Sequence, residues 1–437
     1  MPAISSSKPA SSVSISRQTG DPVAQCLTWF AQADPRDLLL VEFSLSQWWL
    51  DQSPELELLA IYSKDGPSTF SCAVSAEVDL DPSDLARQGL RDWAAAQGVL
   101  VFSPGQVLQL QPAHIPKPWG QEIWFTGVEE RGVCHFSDGN CSAPIPWVQA
   151  LLPEAAGGPA GEPLVLLKIL DPAPREVTGD LYFELHQEKR EVYVVTHVDA
   201  DAWPDGVGGI RYGFDPARVA AAGSEANFRQ QYLDAVKAYE AVRREIDGLS
   251  EGDSPDESLR GKELDLRQRM NGFTYMRELR VGDVVIVPLL MPHSLQHGVR
   301  TIEFQTPVYE RQILSFAQKV LTQDHWDTAA AVQHMRLTPP ERDSFQALSA
   351  PDGVIAERIV DFPDFEVRRL TMRPGKTLKL EAQDCYQLLM VVQGQLPLSG
   401  VELDAEQAAF LPAGQDYQLA SADPTEGLVL LLARPRG

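Results

Sequence analysis

At 437 residues the chain is too long for one ordinary core, and a hydrophobic fraction of 44% is that of a globular protein, so two or three domains are expected. Its 37 Lys and Arg against 61 Asp and Glu give a formal net charge of -24, which sets nucleic acid and anionic membrane surfaces aside as partners, because long-range repulsion opposes association. Five scattered cysteines (Cys26, Cys72, Cys134, Cys141 and Cys385) suggest neither a disulfide framework nor a zinc knuckle, and fit a reducing, cytoplasmic setting.

Residues 1–20 are rich in Ser with Pro and lack the apolar core of a signal peptide, so they are expected to form a disordered tail. No run approaches the roughly 18 apolar residues of a membrane span. Residues 21–115 read as an α+β extension, with strands at 38–43 and 56–62 and one helix over 83–96. Trp48 and Trp49 are assigned no function. Lys117-Pro118-Trp119-Gly120 to Trp124 reads as a turn and a strand, and residues 157–161 as a loop. Strands are then expected at 164–170, 181–185 and 192–198, the pattern of a sandwich or barrel.

From residue 215 to 271 the period becomes helical: Phe228, Tyr232, Val236, Tyr239 and Val242 recur three or four apart, with a Gly/Ser/Asp/Pro break at 248–258. An inserted helical lobe is expected. Strands return at 273–279, 284–288 and 301–305, followed by a helix at 327–335 and a linker over 337–352. From residue 353 the chain shows strands every eight to twelve residues, which predicts a second small β-barrel over 353–437. The fold class is therefore mainly β, with a first barrel built from 116–214 and 272–336 on either side of the lobe.

The chemistry concentrates in two segments. In Glu184-Leu185-His186-Gln187-Glu188-Lys189-Arg190-Glu191, residues two apart on a strand share a face, so Glu184 and His186 project together, and Glu191 can return to the same space after a bend. In the second, Gly282-Asp283 makes a turn, Val284 to Val287 a buried strand and Pro288 its exit, so that His293 begins the next strand pointing inward. Two imidazoles and two carboxylates without thiolate suit one divalent metal and narrow it to zinc, manganese, iron or nickel. The metal ligands are thus expected to be Glu184, His186, Glu191 and His293. The plainer reading of each is a hydrogen-bonded core histidine or a solvated strand carboxylate. His197 and His325 belong to no constellation.

These two segments resemble the paired motifs of the cupin superfamily. The first, H-x-H-(x)3,4-E, is met by Glu184, His186 and Glu191 with Glu in place of the first His. The second, G-(x)5-P-x-G-(x)2-H-(x)3-N, is met at Gly282, Pro288 and His293, with Leu290 for Gly and His297 for Asn. A closer resemblance, over about 117 to 435, is to type I phosphomannose isomerase. It rests on Lys117-Pro118-Trp119-Gly120, Leu167-Lys168-Ile169-Leu170, Glu184-Leu185-His186, Lys189-Arg190-Glu191, the helical insertion, Pro292-His293-Ser294-Leu295, Ile302-Glu303-Phe304-Gln305 and Arg311. That family carries zinc, an inserted helical lobe and a degenerate second cupin. The chain departs from it in having Glu184 where the family has Gln, and only four residues between His186 and Glu191. In the C-terminal block Tyr417 stands where a ligand His would be, which implies a metal-free barrel.

The resemblance implies two jelly-roll cupin barrels and a metal-dependent isomerase that interconverts mannose 6-phosphate and fructose 6-phosphate through an enediol. Such chemistry needs oxyanion stabilisation, a proton relay and an anchor for phosphate. Glu303, Lys189 and His297 are the relay candidates, and Arg311 and Lys168 the candidates for holding a sugar phosphate, with Arg311 also counted as catalytic. The alternative is a cupin of another class, either an oxygenase or a non-catalytic sugar-binding or regulatory module.

Overall fold

The computed structural model describes residues 13–250, 254–321, 323–338 and 344–436. The chain divides into two units, each assembled from separated stretches: Met1–Gln111, Val128–Glu162 and Thr377–Thr425 form one, and Pro112–Gly127, Pro163–Lys376 and Glu426–Gly437 the other. This partition differs from the domains read from sequence, and strand pairing is the reason. Leu108–Gln111 pairs with Ala408–Leu411 inside the first unit, while Leu428–Pro435 pairs with Phe365–Met372 inside the second, so the C-terminal block is shared out rather than kept whole.

In the first unit a five-stranded sheet runs Ile15–Thr19, Leu38–Ser46, Glu55–Lys64, Phe70–Ser75 and Val101–Phe102. The expected tail of residues 1–20 thus ends in an edge strand, paired in parallel with Leu38–Ser46 after the helix Pro22–Phe30; residues 1–12 lie outside the described residues. The single helix expected over 83–96 is two, Pro82–Gln88 and Leu90–Gln97, because Gly89 between them takes φ 87, a left-handed conformation that breaks the helix. Trp48 and Trp49 meet edge-to-face at 5.5 Å in the turn after Leu38–Ser46. Tyr417 is buried and its hydroxyl donates to the Pro412 carbonyl at 2.8 Å.

Two sheets of the second unit pack as a sandwich. One has the order Val284–Val287, Glu191–Val198, Val299–Gln305, Leu166–Pro172, Gly120–Trp124, Ala113–Lys117; the other runs Thr274–Leu279, Gly208–Phe214, His293–Leu295, Phe183–Leu185, Gln312–Ser315. Tyr193, Val195, Val285 and Val287 from the first meet Ile210, Tyr212, Leu295 and Ile313 from the second in one buried core. The helical lobe over 215–271 is present as Pro216–Ala221, Glu225–Asp247 and Glu257–Asn271, the second capped by Ser224. Its buried stripe of Phe228, Tyr232, Val236 and Tyr239 packs on Phe183, Leu185 and Leu314. Each such side chain contributes about 2 kcal/mol by leaving water. Strand alternation follows directly: Phe183 and Leu185 face the lobe, so Glu184 between them faces the sandwich interior.

Candidate metal centre

Glu184 is the register partner of His293 across antiparallel strands. His186 follows immediately on the strand exit, and the backbone N–H of Leu290 donates to its carbonyl at 2.7 Å. Leu290 takes φ 66, the left-handed conformation for which glycine is the natural choice.

Glu184, His186 and His293 each offer one ligand atom, all within 4.8 Å of one another. Both imidazoles are buried, and each Nδ1 faces a main-chain carbonyl: Glu310 at 2.8 Å for His186, Met291 at 3.0 Å for His293. A carbonyl can only accept, so Nδ1 carries the proton and the lone pair lies on Nε2. Neither Nε2 makes a hydrogen bond, and neither does the buried Oε2 of Glu184. Orphaned buried acceptors are costly in a native structure, and two imidazole Nε2 atoms that converge beside the Glu184 carboxylate fit a cation.

Glu191 stands beside this group rather than within its mutual 4.8 Å. Its Oε1 lies 3.4 Å from His186 Nε2 and its Oε2 3.0 Å from His293 Nε2, the latter close without hydrogen-bond alignment. Lys189 Nζ approaches Oε1 at 2.7 Å, and the Tyr193 hydroxyl donates to Oε2 at 2.7 Å. Burial favours a neutral Glu191, but Lys189 and His186 outweigh it and hold the carboxyl well below its ordinary value. Burial, and then Lys189, push His186 well down. Burial also works against a charged His293, yet Glu191 prevails and raises it. The two imidazoles differ because Lys189 opposes one and the carboxylates support the other.

Deeper in the same sheet lies a row of buried charge. Lys168, Glu303 and Tyr193 occupy one register row. Lys168 Nζ is 3.3 Å from Glu303 and 3.9 Å from Glu122, and Lys117 Nζ is 3.1 Å from Glu122, which also accepts from Trp124 Nε1 at 2.6 Å. Burial would raise Glu122, but Lys168 and Lys117 bring it down to about 2. Glu303 is fully buried with neither oxygen hydrogen-bonded; burial raises it well above its ordinary value despite Lys168. Glu122, paired with two lysines and an indole N–H, is thus held down, whereas Glu303, with Lys168 as its one ion-pair partner, is not.

Arg311 Nε lies 4.0 Å from Glu184 Oε2, and its guanidinium sits 4.5 Å over the Tyr182 ring. His297 is elsewhere engaged: its Nδ1 pairs with Asp180 at 2.7 Å and its ring stacks on Trp203 at 4.8 Å. The structure so gathers Glu184, His186, Glu191, His293, Lys189 and Arg311 around one point, places Lys168 and Glu303 along the sheet from it, and directs His297 to Asp180. Tyr193, Glu122 and Tyr182 were missed in sequence. Tyr193 and Tyr182 stand two residues from Glu191 and Glu184, so period-two alternation could have found them; nothing local marks Glu122.

No protein-family profile matches the sequence, and no curated protein matches it. Among solved structures the chain is similar to mannose 6-phosphate isomerase from Bacillus subtilis, with a TM-score of 0.54 and 14% identity over 75% of this chain and 99% of that one. It is similar also to phosphomannose isomerase from Salmonella typhimurium in its apo form, with a TM-score of 0.54 and 11% identity over 76% and 100%. A zinc-bound mannose 6-phosphate isomerase gives the same score and identity over the same shares. The chain shares the mainly β, cupin-type fold of these isomerases, at an identity that establishes the fold alone.

Proposed function

We propose that the chain is a metal-dependent aldose–ketose isomerase acting on a hexose 6-phosphate, with mannose 6-phosphate and fructose 6-phosphate as the interconverted pair. One observation carries this reading: two buried imidazoles with free Nε2 atoms converge with Glu184 on the fold of mannose 6-phosphate isomerases. His186, His293, Glu184 and Glu191 would hold one divalent ion in the first of two jelly-roll barrels. Zinc suits this donor set, and manganese, iron or nickel are compatible with it.

A divalent ion held there supplies a Lewis acid for the sugar's oxygens. The remaining steps belong to side chains. Glu303, whose hold on a proton is strengthened by burial, can take and return the proton that moves between C1 and C2, and Lys168 beside it stabilises the ionised form. Lys189 holds Glu191 in place. Arg311, set on Tyr182, is the anchor for the phosphate, a role that a chain of net charge -24 must fill locally. His297, bound to Asp180, is the least suited of the relay candidates. A cytoplasmic setting accords with such a substrate.

A coupled assay with mannose 6-phosphate, before and after chelation and with metal restored, tests the proposal. Turnover that is lost on chelation and recovered with zinc supports it. A metal-loaded protein that turns over no hexose phosphate returns the chain to a cupin of another class, oxygenase or sugar-binding module.

A further inference from the structure

The strands Val354–Asp361, Phe365–Met372 and Leu428–Pro435 carry a cluster of arginines, none of which belongs to the metal centre. Glu366 and Arg368 lie two apart on one strand and so share a face. Across the ladders, Arg358 is the register partner of Arg368 and Arg434 that of Glu366, which puts all four on that face. Arg436 follows two residues beyond Arg434. Four guanidinium groups close on the single Glu366 carboxylate: Arg368 at 2.6 Å and Arg434 at 2.7 Å on Oε1, Arg436 at 2.6 Å and Arg358 at 3.1 Å on Oε2.

Glu366 is fully buried, whereas the four arginine side chains are between 19% and 31% exposed. Asp361 pairs with Arg358 and Arg436 at the rim. Arg358, Arg368 and Arg436 therefore share two carboxylates among three cations, with Arg434 a fourth on Glu366. A surplus of positive charge, partly desolvated, is costly unless an anion offsets it. In a chain of net charge -24, such a surplus is not the average of its surface. The Nε–H of Arg368, whose ion pair with Glu366 runs through its terminal nitrogen, is moreover buried and donates no hydrogen bond. Planar guanidinium forks held at fixed positions are the donors that best match a tetrahedral oxyanion.

We propose that the arginine cluster around Glu366 binds a phosphate dianion, free or as a phosphate ester, at a second anion site whose residues are distinct from those of the metal centre. Glu366 acts there as a template: it spaces the guanidinium groups so that the outward donors converge. The proposal does not depend on the isomerase reading.

Isothermal titration of the full chain with inorganic phosphate, at fixed ionic strength against chloride, should show saturable binding that the Arg368→Gln/Arg436→Gln variant weakens by at least about tenfold. Unchanged affinity in that variant, or no saturable binding by either inorganic phosphate or a hexose 6-phosphate, overturns the proposal; binding of either supports it. Because Arg311 could also take phosphate, the titration is repeated with Arg311→Ala. Binding that survives there supports the cluster, and binding that vanishes assigns the anion to the metal centre instead. Selenate soaked into crystals of the unaltered protein should give an anomalous peak beside Arg358, Arg368 and Arg436. A soak without that peak overturns the proposal even if the variant fails to fold.

Discussion

Glu184 faces His293 directly across the antiparallel strands Phe183–Leu185 and His293–Leu295, so a carboxylate and an imidazole are brought together by register rather than by side-chain reach. Backbone pairing of this kind fixes both groups before any ion binds, which is how a site gains affinity without ordering its ligands at the moment of binding.

His293→Ala should therefore weaken zinc binding by at least about 100-fold, the upper end of what even a supporting residue usually costs. Glu184→Gln keeps an oxygen in place and removes one negative charge, so it should weaken zinc by about tenfold while leaving turnover per bound metal unreduced. Competition titration with a chelating dye, together with kcat measured at metal saturation, separates the two effects. Equal affinity in His293→Ala and the unaltered protein would remove His293 from the ligand set.

The Tyr193 hydroxyl is the donor that fixes the second oxygen of Glu191. Tyr193→Phe deletes only that bond and keeps a ring buried in the core, so thermal stability should change by about 1 kcal/mol. Metal affinity should fall by about 10- to 100-fold, as for other residues that orient a ligand. A variant that loses stability but binds zinc as before would make Tyr193 a packing residue only.

How far this site was legible in sequence depends on the range of the interactions that build it. Glu184 and His186 share a strand exit, and a two-residue period suffices to pair them. His293 is 107 residues beyond His186, and the likeness of two separate motifs to cupins brought it in. Glu122 carries no such mark, because its role arises only when Gly120–Trp124 lies beside Leu166–Pro172. The helical lobe was equally plain from its apolar stripe. The C-terminal block was not, since strand character says where strands are and nothing of their partners; its last strand joins Phe365–Met372, while Ala408–Leu411 joins Leu108–Gln111.

Glu122 makes acid the test of the buried charge row. Its folded carboxyl lies at about 2 against an ordinary 4.5, chiefly because Lys168 and Lys117 overcome burial. A lowered carboxyl contributes stability that is present above the ordinary value and is lost as pH falls toward the folded one. Over that window the chelated protein should lose about 3 kcal/mol through this group, at about 1.4 kcal/mol per unit. Glu122→Gln should flatten that loss. It should also cost about 3–5 kcal/mol at neutral pH, since Lys117 and Lys168 lose their shared counter-charge. Urea unfolding across an acid series measures both, and an unflattened slope in Glu122→Gln would overturn the assignment.

Glu303 should behave in the opposite sense, although only Lys168 separates it from Glu122. Burial raises it, and Lys168 does not bring it back. A raised carboxyl contributes stability that is present below its ordinary value and is lost as pH rises through the folded one. Glu303→Gln imitates the protonated group, so its stability relative to the unaltered protein should improve as pH rises, where Glu122→Gln shows no such gain. Catalysis should respond differently. A proton relay contributes about 100-fold or more to turnover, so Glu303→Gln should lower kcat by that factor with KM and bound metal nearly unchanged. The limb of the pH–rate profile that follows Glu303 ionisation should vanish with it. If kcat and that limb both persist in Glu303→Gln, Glu303 only positions Lys168, and the relay must be sought in Lys189 or Lys168 itself.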